Sequence, residues 1–267
     1  MTITVGADPE FALMKEGQYV SAHGVVPGTK QHPHPLNSGF VQLDGTFVEF
    51  NIKPAKSADE FATNIGSVLA ELRSFIPSDY LFQFTPSVQY DKHYFEAIPA
   101  SCKELGCDPD FSAYTSKENP KPNTRGGTLR TGAGHLHIGW GSDLGGPSHM
   151  WDCCQIVQAL DNYFRYYEKI WDQDTTRRTL YGKPGAFRPK GYGVEYRVLS
   201  NAWLNHPKMW PWLFSSCEFV FNKMVAGETT RFLVPTRDQY DLDAINKHVV
   251  RAMCKDAPLL MKEMLEN

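Results

Sequence analysis

Four short β-prone runs each place two metal- or phosphate-capable side chains two positions apart: Asp8/Glu10, Glu49/Asn51, His135/His137 and Glu195/Arg197. Residues i and i+2 of a strand share a face, so each pair projects to one side of its sheet. The alternate positions are apolar or β-prone: Val5 and Phe11, Val48, Phe50 and Ile52, Leu136 and Ile138, Val194, Tyr196 and Val198. Charge leaves water only when it is paired or metal-bound. The pattern therefore predicts a sheet with one apolar face and one face built as a cation and phosphate site.

The same reading places the elements between these runs. Thr2 to Met14 is a strand interrupted at Pro9, with Gln18 to Ala22 as its hairpin partner. Phe40 to Ile52 is a hairpin turning at Asp44-Gly45. Ser57-Ala58-Asp59-Glu60 has the form of a capping box. It opens a helix whose apolar stripe is Phe61, Ile65, Val68, Leu69, Leu72 and Phe75, ending before Pro77. Tyr80 to Tyr90 returns to a strand pattern, and Ser101 to Ala133 is a long polar stretch rich in Pro, Gly and Asn. Thr128 to Trp140 carries the histidine pair. Helices follow over Ser148 to Trp171, with Val157, Leu160, Phe164, Tyr167 and Trp171 inward, and over Lys208 to Ala226, stopped by Gly227. Between them lie a basic loop and the Glu195/Arg197 strand, Gly191 to Ser200. A last helix is expected from Asp241, with Leu242, Ile245, Val249 and Met253 inward. This mixed order with hairpins predicts an α+β fold around a mainly antiparallel sheet, as a single domain over residues 1–267.

Composition narrows the function classes. The chain has 267 residues, 42% of them hydrophobic, enough to bury a large core. Its 27 basic and 30 acidic side chains leave a formal charge of -3, which gives no general attraction to nucleic acid. No apolar run has the length of a bilayer span, and the first residues enter a strand without the pattern of a signal segment. Six dispersed cysteines, two adjacent in an expected helix, fit reduced thiols and a cytoplasmic protein. The aromatic group Trp203, Trp210, Trp212 and Phe214 is expected in the core, with an oligomer interface as the alternative.

Asp8, Glu10, Glu49 and Glu195 are hard oxygen ligands, and with His135 they favour magnesium or manganese over zinc. Taken singly, any of these carboxylates reads as an exposed strand residue. Small residues around the histidines, in Gly132-Ala-Gly-His-Leu-His137, permit close approach of a ligand. Arg177, Arg178, Lys183, Arg188 and Lys190 lie between Asp172 and Lys190, where a Gly-containing loop could clamp phosphates. Arg125 and Arg130 add a second basic segment. His32 and His34 alternate with prolines and read as extended loop. No Walker or Rossmann glycine pattern is present.

Six segments together resemble the phage-encoded carboxylate–amine ligase family, of the glutamine synthetase and glutamate–cysteine ligase superfamily. They are Gly6-Ala-Asp-Pro-Glu-Phe11, Pro27-Gly-Thr-Lys30, Asp44-Gly-Thr-Phe-Val-Glu-Phe-Asn51, Gly106-Cys-Asp-Pro-Asp110, Gly134-His-Leu-His-Ile-Gly139 and Tyr192-Gly-Val-Glu-Tyr-Arg197. The resemblance spans roughly residues 5–205. It implies an open half-barrel with helices on its outer face, binding ATP and two or three Mg²⁺ or Mn²⁺ ions on the concave side. It implies metal ligation by Glu10, Glu49, His135 and Glu195, joined by Asp8. It also implies phosphate contacts from His137, Arg188 and Arg197, the two arginines acting in catalysis. The basic segments add Arg130, Arg178 and Lys183 to the expected nucleotide contacts, together with Lys30. The implied reaction joins a small-molecule or peptide carboxylate to an amine through an acyl phosphate, in a host cytoplasm if the chain is phage-encoded. Homo-oligomers are compatible with this. A metal-dependent hydrolase, or a silent binding protein keeping the fold, are the rival readings.

Overall fold

The computed structural model describes residues 2–103, 109–122, 127–141 and 148–227. The helix expected from Asp241, together with Arg125, Cys107 and Cys254, lies outside them. The chain begins with β1 (Thr4–Lys15), β2 (Gln18–Val20), β3 (His34–Leu36), β4 (Gly39–Asp44), β5 (Phe47–Ile52) and α1 (Ala58–Phe75). It continues through β6 (Leu81–Gln83), β7 (Ser87–Gln89), α2 (Lys92–Ala97), α3 (Ala100–Lys103), β8 (Phe111–Ser112), β9 (Leu129–Thr131) and β10 (Gly134–Gly139). The remainder is α4 (His149–Trp171), α5 (Arg177–Leu180), β11 (Ala186–Lys190), β12 (Gly193–Tyr196), a 3₁₀ turn at Asn201–Asn205 and α6 (Met209–Val225).

One large antiparallel sheet organises the molecule, in the order β3-β4-β5-β1-β10-β12-β11-β8, with β2 and β6 on the distal half of β1. Its end strands β3 and β8 do not pair, so the described sheet does not close into a barrel. The alternation read from the sequence decides its two faces. Val5, Ala7, Phe11, Val48, Phe50, Leu136, Ile138, Val194 and Tyr196 are buried in one core with Phe61, Ile65, Val68 and Leu72 of α1 and the inner sides of α4 and α6. The other face carries the polar pairs. Removing the apolar face from water is the main stabilising term, about 25 cal/mol per Å² buried.

The helices follow their sequence signals. Ser57 caps α1 by accepting from the Glu60 N–H, while Glu60 accepts from the Lys56 N–H. In α4 the expected stripe Val157, Leu160, Phe164, Tyr167 and Trp171 is buried. Gly227, at φ 70°, follows α6 in the left-handed conformation expected of a stop. Trp203, Trp210, Trp212 and Phe214 belong to the core. Cys102, Cys153, Cys154 and Cys217 are buried free thiols. No helix among the described residues is long and apolar enough to cross a membrane.

Several expectations are corrected. β1 runs through Pro9 without interruption, and Pro9 pairs with Gly134. Val5 donates its N–H to Ala55, on the β5 side, and Glu10 donates to Ala133, on the β10 side. The donor that Pro9 lacks therefore points toward β5, whose ladder starts only at Glu10, so no bond is lost. Tyr80 to Tyr90 divides into β6 and β7, which join different sheets. The polar stretch from Ser101 contains β8 and β9, and Thr128 to Trp140 is two strands, β9 and β10. The "basic loop" ends in a strand, β11, which forms a hairpin with β12. The glycines before the histidines serve the protein's own packing. A Cβ on Gly134 would lie 2.3 Å from Ser200 O and Trp203 Nε1, and one on Gly132 would lie 2.3 Å from Asn201 Nδ2.

Candidate cation and phosphate site

Strand register assembles the polar face. Across β1 and β10, Asp8 is opposite His135; across β10 and β12, His137 is opposite Glu195; across β12 and β11, Glu195 is opposite Arg188. On the other side of β1, Glu10 is opposite Glu49, which in turn faces Gln42. Directly opposed side chains on one face are about 5 Å apart at Cβ, so the four sequence pairs become one continuous patch.

At its centre, His137 Nε2 lies 3.0 Å and His135 Nδ1 3.3 Å from Asp8 Oδ1, and His135 Nδ1 is 3.6 Å from Glu195 Oε1. Asp8, His137 and Glu195 each offer a ligand atom, and these atoms all lie within 4.8 Å of one another. Guanidinium and ammonium groups surround Glu195. Arg197 Nη1 donates to its Oε1, Arg188 Nη1 approaches the same oxygen at 3.5 Å, and Lys190 Nζ lies 2.7 Å from Oε2. Arg197 is itself fixed by Asp110, at 3.2 Å from its Nε, and Asp110 accepts from Asn119 at 2.8 Å.

The electrostatics follow from this packing. Burial works to raise the Asp8 pKa, but the two histidines hold it well below the carboxylate range. Burial and Asp8 act likewise on Glu195, yet Arg197 and the histidines bring it down to about 2. Burial and Arg197 lower His135 to about 4, so it is neutral, and its Nδ1 accepts from the Arg197 guanidinium at 3.3 Å. Burial opposes the charge on His137 as well, but Asp8 and Glu195 raise its pKa on balance. Glu10 is pushed up to about 8 by burial and then Asp44, and Glu49 is raised by burial, Asp44, Asp8 and Glu10.

This donor set fits a divalent cation. Asp8 Oδ1, His137 Nε2 and Glu195 Oε2 are buried ligand atoms that make no aligned hydrogen bond. Two carboxylates and an imidazole without such bonds are satisfied by a hard or borderline metal ion. The adjoining carboxylates Glu10, Glu49 and Asp44 are crowded as if awaiting positive charge.

The expected residues divide by position. Asp8, His135, His137, Glu195, Arg188 and Arg197 meet at the centre, and Glu10 and Glu49 form the neighbouring carboxylate pair. Arg130 is buried and lines the adjoining cleft, but its guanidinium donates to the carbonyls of Lys103, Gly127 and Leu129 and covers the Phe95 ring. Arg178 turns to Glu168 of α4. Lys183 lines a separate small cleft with Lys121, and Lys30 is exposed, acting electrostatically on Asp44. A cleft opens beside the patch between Glu10, Asp44, Thr46, Arg177, Tyr181 and Arg197.

Sequence reasoning gave Asp44, Asp110 and Tyr192 no role of their own, although each stands in a segment that carries the resemblance, and it placed Lys190 in a phosphate-clamping loop rather than beside Glu195. Arg188/Lys190 is a fifth i,i+2 pair, hidden because Pro189 makes the segment look like a loop. Asp44 shares the parity of Gln42 in the hairpin already recognised, so its face was available from the turn. Tyr192 contacts His137 Nδ1 through its hydroxyl from the β11–β12 turn. Nothing in the spacing pointed to that contact or to Asp110.

No protein-family model matches the chain, and no curated protein matches it in sequence. Solved structures that it resembles include a bifunctional glutathione synthetase from Pasteurella multocida, at 11% identity and TM-score 0.35, over 99% of this chain and 46% of that one. Another is a novel glutamine synthase homolog, at 13% identity and TM-score 0.33, over 99% of this chain and 65% of that one. The chain thus spans less than two thirds of either. Likeness at this level carries no argument about activity.

Proposed function

We infer that the chain is an ATP-dependent carboxylate–amine ligase, similar to the phage-encoded family whose motifs it shares. In this reading the antiparallel sheet is a glutamine synthetase-like open half-barrel with the nucleotide on its polar face. One observation carries it: a divalent-cation donor set, Asp8, His137 and Glu195, stands on one face of the sheet with Arg188, Lys190 and Arg197. A metal hydrolase needs the first group without the second. A triphosphate with its magnesium calls for both.

Asp8, Glu10, Glu49, His135, His137 and Glu195 would hold two or three Mg²⁺ or Mn²⁺ ions, which when bound neutralise phosphate oxygens. Arg188 and Arg197 donate to the transferring phosphoryl group, stabilising its charge as it passes to a substrate carboxylate. An amine then attacks the acyl phosphate, giving the amide and inorganic phosphate. Asp110, accepting from Arg197 Nε at 3.2 Å, holds that guanidinium in place. The substrates are a small-molecule or peptide carboxylate and an amine, met in the host cytoplasm if the gene is a phage's.

The test is ADP release with Mg²⁺ and ATP against amino acids, polyamines and peptides, comparing the protein with Glu195→Gln. Substrate-stimulated ADP that falls by roughly a hundredfold or more in the variant supports the reading. ADP release from no panel member, together with no nucleotide binding, overturns it.

A further inference from the structure

The two oxygens of Glu195 are used differently. Oε1 takes Arg197 Nη1, with Arg188 Nη1 at 3.5 Å and His135 Nδ1 at 3.6 Å. Oε2 makes no hydrogen bond, although the Lys190 ammonium lies 2.7 Å from it. That contact is an ion pair without hydrogen-bond alignment.

The cations also differ in how firmly they are held. The Arg197 side chain is 5% exposed and is braced by Asp110, and its backbone N–H bonds the Ala186 carbonyl. Lys190 stands at the end of β11, one residue from the turn, with its side chain 33% exposed and a flexible four-carbon stem. An ion at coordinating distance from Oε2, about 2.1 Å, would stand within roughly 4 to 5 Å of that ammonium, where two cations repel. Of the groups facing Glu195, Lys190 can leave at least cost.

We propose that Lys190 is a displaceable counter-ion: it neutralises Glu195 in the metal-free protein and is exchanged for a divalent cation, which releases its ammonium to the rim of the site. This rests on the cation site of the preceding section, and it adds a lysine whose position reports metal occupancy. The exchange also lowers the cost of keeping an anionic site folded before metal arrives.

Two measurements on the full chain test it. In amine-selective acylation read by mass spectrometry, Lys190 gains reactivity when Mn²⁺ is added, while Lys183 and Lys223 do not. In Mn²⁺ titrations, Lys190→Met, which keeps the aliphatic stem, binds Mn²⁺ more tightly by roughly two- to fivefold, the size of one partly exposed ion pair. A merely structural lysine would give weaker binding on removal. Mn²⁺ binding with unchanged Lys190 acylation, or weaker binding by Lys190→Met, overturns the exchange and leaves the ligase reading standing. Exchange without any ATP binding overturns the ligase reading alone. No Mn²⁺ binding by the unsubstituted protein overturns both.

Discussion

Glu10 and Glu49 face one another across β1 and β5 as direct register partners, two buried carboxylates on the same side of the sheet. Glu10 is tied by its Oε2 to the Ala133 N–H at 3.1 Å, and Glu49 by its Oε2 to Gln42 Nε2 at 2.6 Å. Neither bond brings in a positive charge, and burial with neighbouring Asp44 pushes both pKa values up. Glu49→Gln keeps an acceptor for Gln42 and removes a carboxyl whose ionisation burial and Asp44 disfavour. It is expected to stabilise the metal-free protein near neutral pH by roughly 0.5–1 kcal/mol. Mg²⁺ should then raise the melting temperature of the unsubstituted protein more than that of the variant, because binding to the native state adds stability by mass action. Thermal denaturation with and without Mg²⁺ checks this; a metal-free variant no more stable than its parent refutes the charge-crowding account.

The relation between these carboxylates shows how far the sequence reaches. The period-two pattern was enough to place Asp8, Glu10, Glu49, His135, His137, Glu195 and Arg197 on one face, because strand geometry leaves little choice once the apolar face is known. It could not rank them, since which residues meet depends on strand order. β1 lies between β5 and β10, so Asp8 joins the histidines whereas Glu10 joins Glu49. The nucleotide contacts were less legible. Arg178 and Arg130 are as basic as Arg188 in sequence, and only tertiary packing turns the first to Glu168 and commits the second to backbone carbonyls.

Tyr192 is placed to orient His137. Its hydroxyl meets Nδ1, leaving Nε2 toward Asp8. A ligating imidazole held through its other nitrogen keeps one tautomer and one ring orientation, and losing such a partner typically weakens metal binding 10- to 100-fold. Tyr192→Phe should lower Mn²⁺ affinity by about tenfold or more, with little change in metal-free stability, since the residue is 42% exposed. Isothermal titration and a melting curve separate the two effects. Unaltered Mn²⁺ affinity would leave Tyr192 without a part in the site.

Gly134 tests the packing role of the glycines beside the histidines. Trp203 Nε1 donates to the Gly134 carbonyl at 3.1 Å, and the Gly134 N–H bonds Leu199, so this strand end is pressed against the segment leading into the 3₁₀ turn. Gly134→Ala should cost about 1–3 kcal/mol, the usual range for overpacking. Gly191→Ala, where a Cβ meets nothing within 4 Å, should stay within about 0.5 kcal/mol of the parent. Urea denaturation of both variants decides; equal stabilities would return the glycine to a ligand-facing role.

The pH dependence of stability has a source on the opposite face of the sheet. Asp161 of α4 is buried at 6% exposure and accepts from the Tyr196 hydroxyl at 2.7 Å. Burial raises its pKa to about 6 against the lowering effect of that hydrogen bond. Because the folded pKa exceeds the unfolded one, the stability tied to the protonated form is complete below about pH 4 and is lost as pH rises through 6. A shift of about two pH units corresponds to at most about 3 kcal/mol. Asp161→Asn keeps an acceptor for Tyr196 and cannot ionise. The variant should therefore match its parent near pH 4 and exceed its stability by about 1–3 kcal/mol at pH 7.5. Denaturant melts at the two pH values measure the difference directly. A gap that stayed constant between them would mean that Asp161 ionises equally in the folded and unfolded chain, and that the Tyr196 contact, not the charge, governs the site.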